Sequence, residues 1–196
     1  MDKGRLEAFS DGVLAIILTI MVLELHVPRG DATLAALRDV WPVFASYVLS
    51  FVYVGIYWNN HHHLLHATRR VNAAVLWANL HLLFWLSLVP FTTRWMGESR
   101  SATPTALYGA NLLLCGFGYW VLQQQIIAEQ GSGSIVRRAV GADLKGKGSL
   151  VAYVVSIPLA YVSQWIAWAV YVGVALMWLV PDRRIERALA GHAEEE

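Results

Sequence analysis

From Ser149 to Val180 the chain runs for 32 residues without an Asp, Glu, Lys or Arg. A water-soluble domain has nowhere to place such a run, whereas a bilayer does. Inside hydrocarbon every backbone N–H and C=O must be paired within its own segment, so the run has to be helical. A single straight helix of that length, rising ~1.5 Å per residue, overshoots a ~30 Å hydrocarbon core. Two short tilted spans are therefore expected, 149–163 and 164–180, with the turn near Ser163 and Gln164.

The same reading applied upstream gives spans at about 6–26, 40–60, 71–93 and 104–127. Pro42 falls in the opening turn of the second span, where its missing N–H costs little. Pro90 punctuates the third, Pro104 opens the fourth and Pro181 ends the last. The expected fold class is an all-α integral membrane protein: one six-span domain over 1–181 and a short cytoplasmic tail, 182–196. Composition agrees, with 57% hydrophobic and 15% charged residues against roughly 45–50% and ~25% in soluble domains. A net charge of +1 gives no sign of nucleic-acid binding. The lone Cys115 rules out a disulfide framework or a Cys-based metal site and reads as a small buried hydrophobe. The first apolar run is too long for a signal peptide and lacks a cleavage site, so it is expected to remain in the mature chain.

Six spans put both termini on one side. That side holds eleven cations: Lys3, Arg5, Arg69, Arg70, Arg137, Arg138, Lys145, Lys147, Arg183, Arg184 and Arg187. The opposite side holds four, Arg29, Arg38, Arg94 and Arg100. The positive-inside rule then makes both termini cytoplasmic and the protein a multi-pass component of the cell (inner) membrane.

The first span differs from the others. Residues 5–25, RLEAFSDGVLAIILTIMVLEL, carry Asp11 about one and a half turns in and Glu24 near the far end, while the other apolar runs contain no charge. Intramembrane charges are costly unless paired or wetted, which marks this helix as the functional candidate. At ~100° per residue, Ile16, Ile20 and Leu23 share one stripe with Thr19 beside it, and the stripe continues back through Gly12, Phe9 and Arg5. Periodicity alone makes such a stripe a packing surface.

Arg5-x-x-x-Phe9-Ser10-Asp11-Gly12, followed by an aliphatic helix ending Leu23-Glu24-Leu25, resembles the signature of the TMEM175 family of potassium channels. The likeness extends over the whole chain, as a single unit of six predicted spans with a His/Asn-rich end to the second. The resemblance implies a potassium-selective channel, leaky to other monovalent cations, that lacks the TVGYG carbonyl filter of ordinary potassium channels. First helices would line the pore, with Ile16, Ile20 and Leu23 as the aliphatic constriction and Thr19 where some bacterial relatives carry a pore threonine. Animal members have two six-helix units per chain, so one unit implies a homotetramer. No enzyme activity and no cofactor are implied, only permeant K⁺ and the bilayer itself.

Beside the resemblance stands a histidine cluster, Asn59-Asn60-His61-His62-His63 with His66. His62 and His66 are four apart and share one helix face, a common metal-ligand spacing. A membrane metalloenzyme needs several such boxes with carboxylates at their depth, and His26, His81 and His192 are scattered along the chain and form no second box. No metal site is expected. If the first span leaves the cytoplasm and the second returns to it, Asp11 and the Asn59–His62 region lie at similar depth. Arg5, Ser10 and Asp11 are then expected in a buried polar assembly with the His/Asn end of the second span, His62 included, with Asn79 and His81 of the third span reaching the layer less directly. Glu24 reads either as a carboxylate ring drawing cations to the outer mouth or as an interfacial residue without a role. A proton-coupled secondary transporter using Asp11 and the histidines is the alternative function.

Overall fold

A computed structural model describes residues 2–28, 33–68, 70–99, 101–131, 134, 136–137, 141 and 143–179. The expected tail 182–196 lies outside the described residues, as do Arg29, Arg69, Arg100 and Arg138. Among the described residues there is no strand, and seven α-helices follow in order: α1 Lys3–Leu23, α2 Leu37–His66, α3 Ala73–Ser87, α4 Val89–Ser99, α5 Ala102–Gln130, α6 Leu144–Val162 and α7 Gln164–Leu179. A 3-10 turn, Leu34–Ala36, leads into α2. Among the described residues four segments are long and apolar enough to cross a membrane: Lys3–Leu23, Leu34–His66, Ala73–Ser99 and Ala102–Gln130. The helix Gln164–Leu179 is apolar but shorter.

Local chemistry explains where the helices begin and end. Asp2 caps α1, its carboxylate accepting from the Gly4 N–H at 3.2 Å. The α2 helix starts at Leu37, earlier than the expected Val40, so Pro42 lies inside the helix rather than in its opening turn. The segment expected to close near Thr93 instead continues to Ser99, as α3 and α4 in near-continuous sequence, interrupted at Leu88 two residues before Pro90. Proline lacks the N–H that would bond back one turn, which breaks the ladder there. Gly131 ends α5 at φ +68°, a conformation that favours glycine. Asp143 caps α6 through the Gly146 N–H at 3.2 Å. Extended Ser163 (φ −159°, ψ 119°) separates α6 from α7.

Two buried clusters hold the bundle together. One joins α1, α2, α3 and α5 through residues such as Leu14, Ile17, Val54, Leu65, Leu82 and Leu122. The other joins α2, α4, α5, α6 and α7 around Tyr53, Tyr108, Leu112, Ala167 and Tyr171. Its tyrosines are bonded as well as packed: Tyr53 donates to the Tyr171 carbonyl at 2.6 Å, and Tyr171 donates to the Thr105 carbonyl at 2.9 Å. Gly109 admits that second bond, since a Cβ there would collide with the Tyr171 hydroxyl. The long helix α5 packs most extensively, against α6 and α3, whereas α1 makes its main contacts with α2, α3 and α4. One face of this helix, the most unusual of the sequence, is thereby left uncovered.

Candidate functional site

One face of α1 is anchored and the other is open. Leu6, Ser10, Leu14, Ile17 and Met21 are buried, a spacing of four, four, three and four that follows the helical repeat. The opposite face presents Arg5, Phe9, Gly12, Ile16, Thr19, Ile20 and Leu23, all exposed. Exposure reaches 58% at Ile16 and 80% at Leu23, values that no core position approaches. Thr19 lies within this face, and its hydroxyl reaches back to the Ala15 and Ile16 carbonyls at 3.1 and 2.9 Å. The hydroxyl proton is thereby occupied, on a side chain that stays exposed. Beside Ile16 and Ile20 a groove of about 420 Å³ opens between α1 and α4, floored by Ser87, Pro90 and Phe91.

The anchored face is held by a three-residue polar bridge in an otherwise apolar layer. The Asn79 amide donates to Ser10 Oγ at 3.0 Å, and Asn79 Oδ1 accepts from His61 Nε2 at 2.7 Å. Ser10 passes its own proton to the Leu6 carbonyl at 2.9 Å. All three side chains are buried, and α1, α2 and α3 each contribute one. Every polar atom that the bridge brings together therefore has a partner, which removes the desolvation penalty.

The membership of this assembly differs from the expected one. Asn79 is its centre rather than a remote contributor, and the imidazole is that of His61. His61 continues the buried α2 positions Ser50, Val54 and Leu65, whereas His62 lies ~100° further round and is exposed. Asp11 is not buried; its carboxylate accepts from Trp58 Nε1 at 3.0 Å on the exposed side. Arg5 is exposed on the open face and does not join the bridge. His81 accepts from Trp85 Nε1 at 2.9 Å, one turn away on its own helix, and also lies apart.

At the opposite end Glu24 is not a free carboxylate. It forms an ion pair with Arg94 of α4, whose Nε also donates to Glu98 at 3.0 Å. Arg94, Trp58 and His61 were not among the expected site residues. For His61 the signal was present, as the continuation of a buried stripe. For Arg94 it was not, because only the path of α4 beyond Pro90 brings it to α1.

The family profile described as "Endosomal/lysosomal potassium channel TMEM175" matches residues 5–90. A potassium channel of Chryseobacterium sp. (strain P1-3) is 51% identical over 190 residues, covering 96% of this chain and 98% of the relative. The human endosomal/lysosomal proton channel TMEM175 is 38% identical over 96 residues, covering 43% of this chain and 19% of that protein. A crystal structure of a lysosomal potassium-selective channel TMEM175 homolog from Chamaesiphon minutus superposes with a TM-score of 0.81 at 26% identity, covering 92% of this chain and 97% of that one. With near-complete coverage of a relative at half identity, the chain belongs to the TMEM175 family.

Proposed function

We propose that this protein is a potassium-selective channel, leaky to other monovalent cations, assembled as a homotetramer around four copies of α1. The observation that carries the reading is the open face of α1, whose Ile16, Thr19, Ile20 and Leu23 are exposed while the opposite side is fixed into the subunit. Relatives named potassium channels support the choice of ion. Aliphatic side chains on a shared axis exclude water, and an ion passing them sheds hydration without receiving oxygen ligands. Such a ring conducts when it dilates, and potassium, the more weakly hydrated ion, loses less than sodium. The Thr19 oxygens offer partial replacement ligands next to the ring. Phe9, Gly12 and exposed Asp11 form the inner mouth, where the carboxylate raises the local cation concentration. Glu24 at the outer mouth is partly neutralised by Arg94, so its pull on cations is weaker than that of an unpaired ring.

In this reading α3 and α4 together form the third of six spans, α6 and α7 are the last two, and both termini face the cytoplasm of an inner-membrane protein. The bridge of Ser10, Asn79 and His61 positions the pore helix and takes no part in chemistry; conduction is passive and needs no cofactor. Potassium efflux from proteoliposomes tests the function. Rapid, non-saturating release is expected with the protein present. Saturable release that requires a proton gradient is the transporter's signature and would reject the channel.

Topology has its own test. Cysteines at Lys147 and Ser99, both exposed, are expected to label from opposite sides of the membrane with an impermeant thiol reagent. Native Cys115 is fully buried and contributes no background. Labelling of both positions from one side would contradict the six-span arrangement.

A further inference from the structure

The α1 and α2 helices meet in antiparallel register at the end that carries the histidine cluster. Lys3 Nζ donates to the His66 carbonyl at 2.8 Å, and Trp58 Nε1 donates to Asp11 at 3.0 Å. Between these two contacts each helix advances by about two turns, which puts Glu7, midway on α1, at the level of His62. Glu7 pairs with Lys3 at 3.8 Å. On α2 the three rings form a stack: Trp58 to His62 at 6.1 Å and His62 to His66 at 6.2 Å between centroids, with 28° and 17° between planes. Both His62 and His66 are exposed, and among the described residues neither ring nitrogen makes a hydrogen bond. The conduction path and the buried bridge leave this pair unused.

We infer that His62 and His66 form a two-imidazole chelate for a borderline divalent transition cation, Zn²⁺, Ni²⁺ or Cu²⁺, on the exposed face of α2. Imidazole selects these ions over Mg²⁺ and Ca²⁺, which take oxygen ligands. Residues four apart on a helix present both rings to one point, the spacing that the H-E-x-x-H helix uses for zinc. With metal–nitrogen bonds of ~2.0–2.1 Å the two ring nitrogens have to approach to about 3.3 Å. The terminal torsion of histidine is broad, so these exposed rings turn from the stack into the chelate at the cost of ring contacts, among them the edge contact of His62 with His63 at 5.6 Å. No three His, Cys, Asp or Glu side chains converge on one point among the described residues, so water completes the coordination. Of Lys3, Glu7 and Asp11, the two carboxylates attract a dication and Lys3 opposes it, leaving a net attraction.

Calorimetric titration of the tag-free, detergent-solubilised protein with NiCl₂ tests the site and is independent of whether the protein conducts. Micromolar binding is expected at pH 7.5 and none with MgCl₂. His62→Ala and His66→Ala should each weaken binding by about tenfold or more, since removal of even a supporting group commonly costs ~10–100-fold. Glu7→Gln should weaken binding more modestly, and His63→Ala should leave it intact. His62→Gln serves as a second variant should His62→Ala fail to elute as folded protein. Absence of binding by wild type, or unchanged affinity in the His62 and His66 variants, would overturn the assignment.

Discussion

Ile16→Asn is expected to raise sodium conductance several-fold and to reduce the K⁺/Na⁺ permeability ratio towards unity. Ile16 lies close to the middle of α1, is 58% exposed on the open face, and borders the groove against α4. In the proposed tetramer four such side chains meet, and four carboxamides in their place supply both water anchorage and oxygen ligands. Dehydration would no longer be uncompensated, and the difference between the two ions would shrink. Leu18→Asn is the matched control. Leu18 lies ~160° away from Ile16 round the helix and packs, partly buried, against the core cluster of α1, α2, α3 and α5. Its replacement should lower the amount of assembled protein while leaving permeation of the surviving channels nearly unchanged. Bilayer currents under bi-ionic K⁺/Na⁺ conditions distinguish the two. Wild-type selectivity in Ile16→Asn together with altered selectivity in Leu18→Asn would place the pore on the wrong face of α1.

The second large effect is expected at Asn79, which is buried away from the open face of α1. Asn79→Ala removes both bonds of the bridge and leaves Ser10 and His61 buried without their partner. An interhelical hydrogen bond within a membrane is worth ~0.6–1.7 kcal/mol, and an orphaned buried polar group costs ~1–3 kcal/mol. A loss of about 2–4 kcal/mol is therefore expected, concentrated where α1, α2 and α3 meet. Detergent-solubilised Asn79→Ala should melt well below wild type and give less assembled protein. Asp11→Ala should melt closer to wild type, because its carboxylate is exposed and bonded only to Trp58. The reverse order of melting temperatures would show that the anchor of the pore helix runs through Asp11 instead.

The contrast between Asn79 and Asp11 marks how far the sequence could be read. Apolar runs of ~20 residues bounded by prolines and cations disclose helices, since a run of that length satisfies its own backbone in hydrocarbon as a helix. Helix ends were less legible: the expected start of α2 near Val40 put Pro42 in the opening turn, yet the helix begins three residues earlier, at Leu37. The open stripe of α1 was visible in its periodicity, but its exposure depends on where neighbouring helices stop, which no single segment specifies. A charge in an apolar helix attracts attention, and Asp11 drew the buried role that a neutral amide fills. Asn and His bury at lower cost than a carboxylate, so a completed bridge of neutral groups is the more economical anchor. The choice of His61 over His62 rests on one step of ~100° round α2, decided by the buried positions before and after it. Arg94 pairs with Glu24 across 70 residues of chain, a proximity that only the assembled bundle creates.

Single-channel recording of the purified protein in a planar bilayer, with potassium chloride at unequal concentrations on the two sides, bears most directly on the central claim. Discrete current steps that reverse close to the potassium equilibrium potential are predicted, with the reversal shifting towards zero when Ile16→Asn replaces wild type and sodium is present on the dilute side. Smooth currents without steps, or a reversal potential indifferent to the potassium gradient, would contradict a potassium channel gated by the aliphatic face of α1.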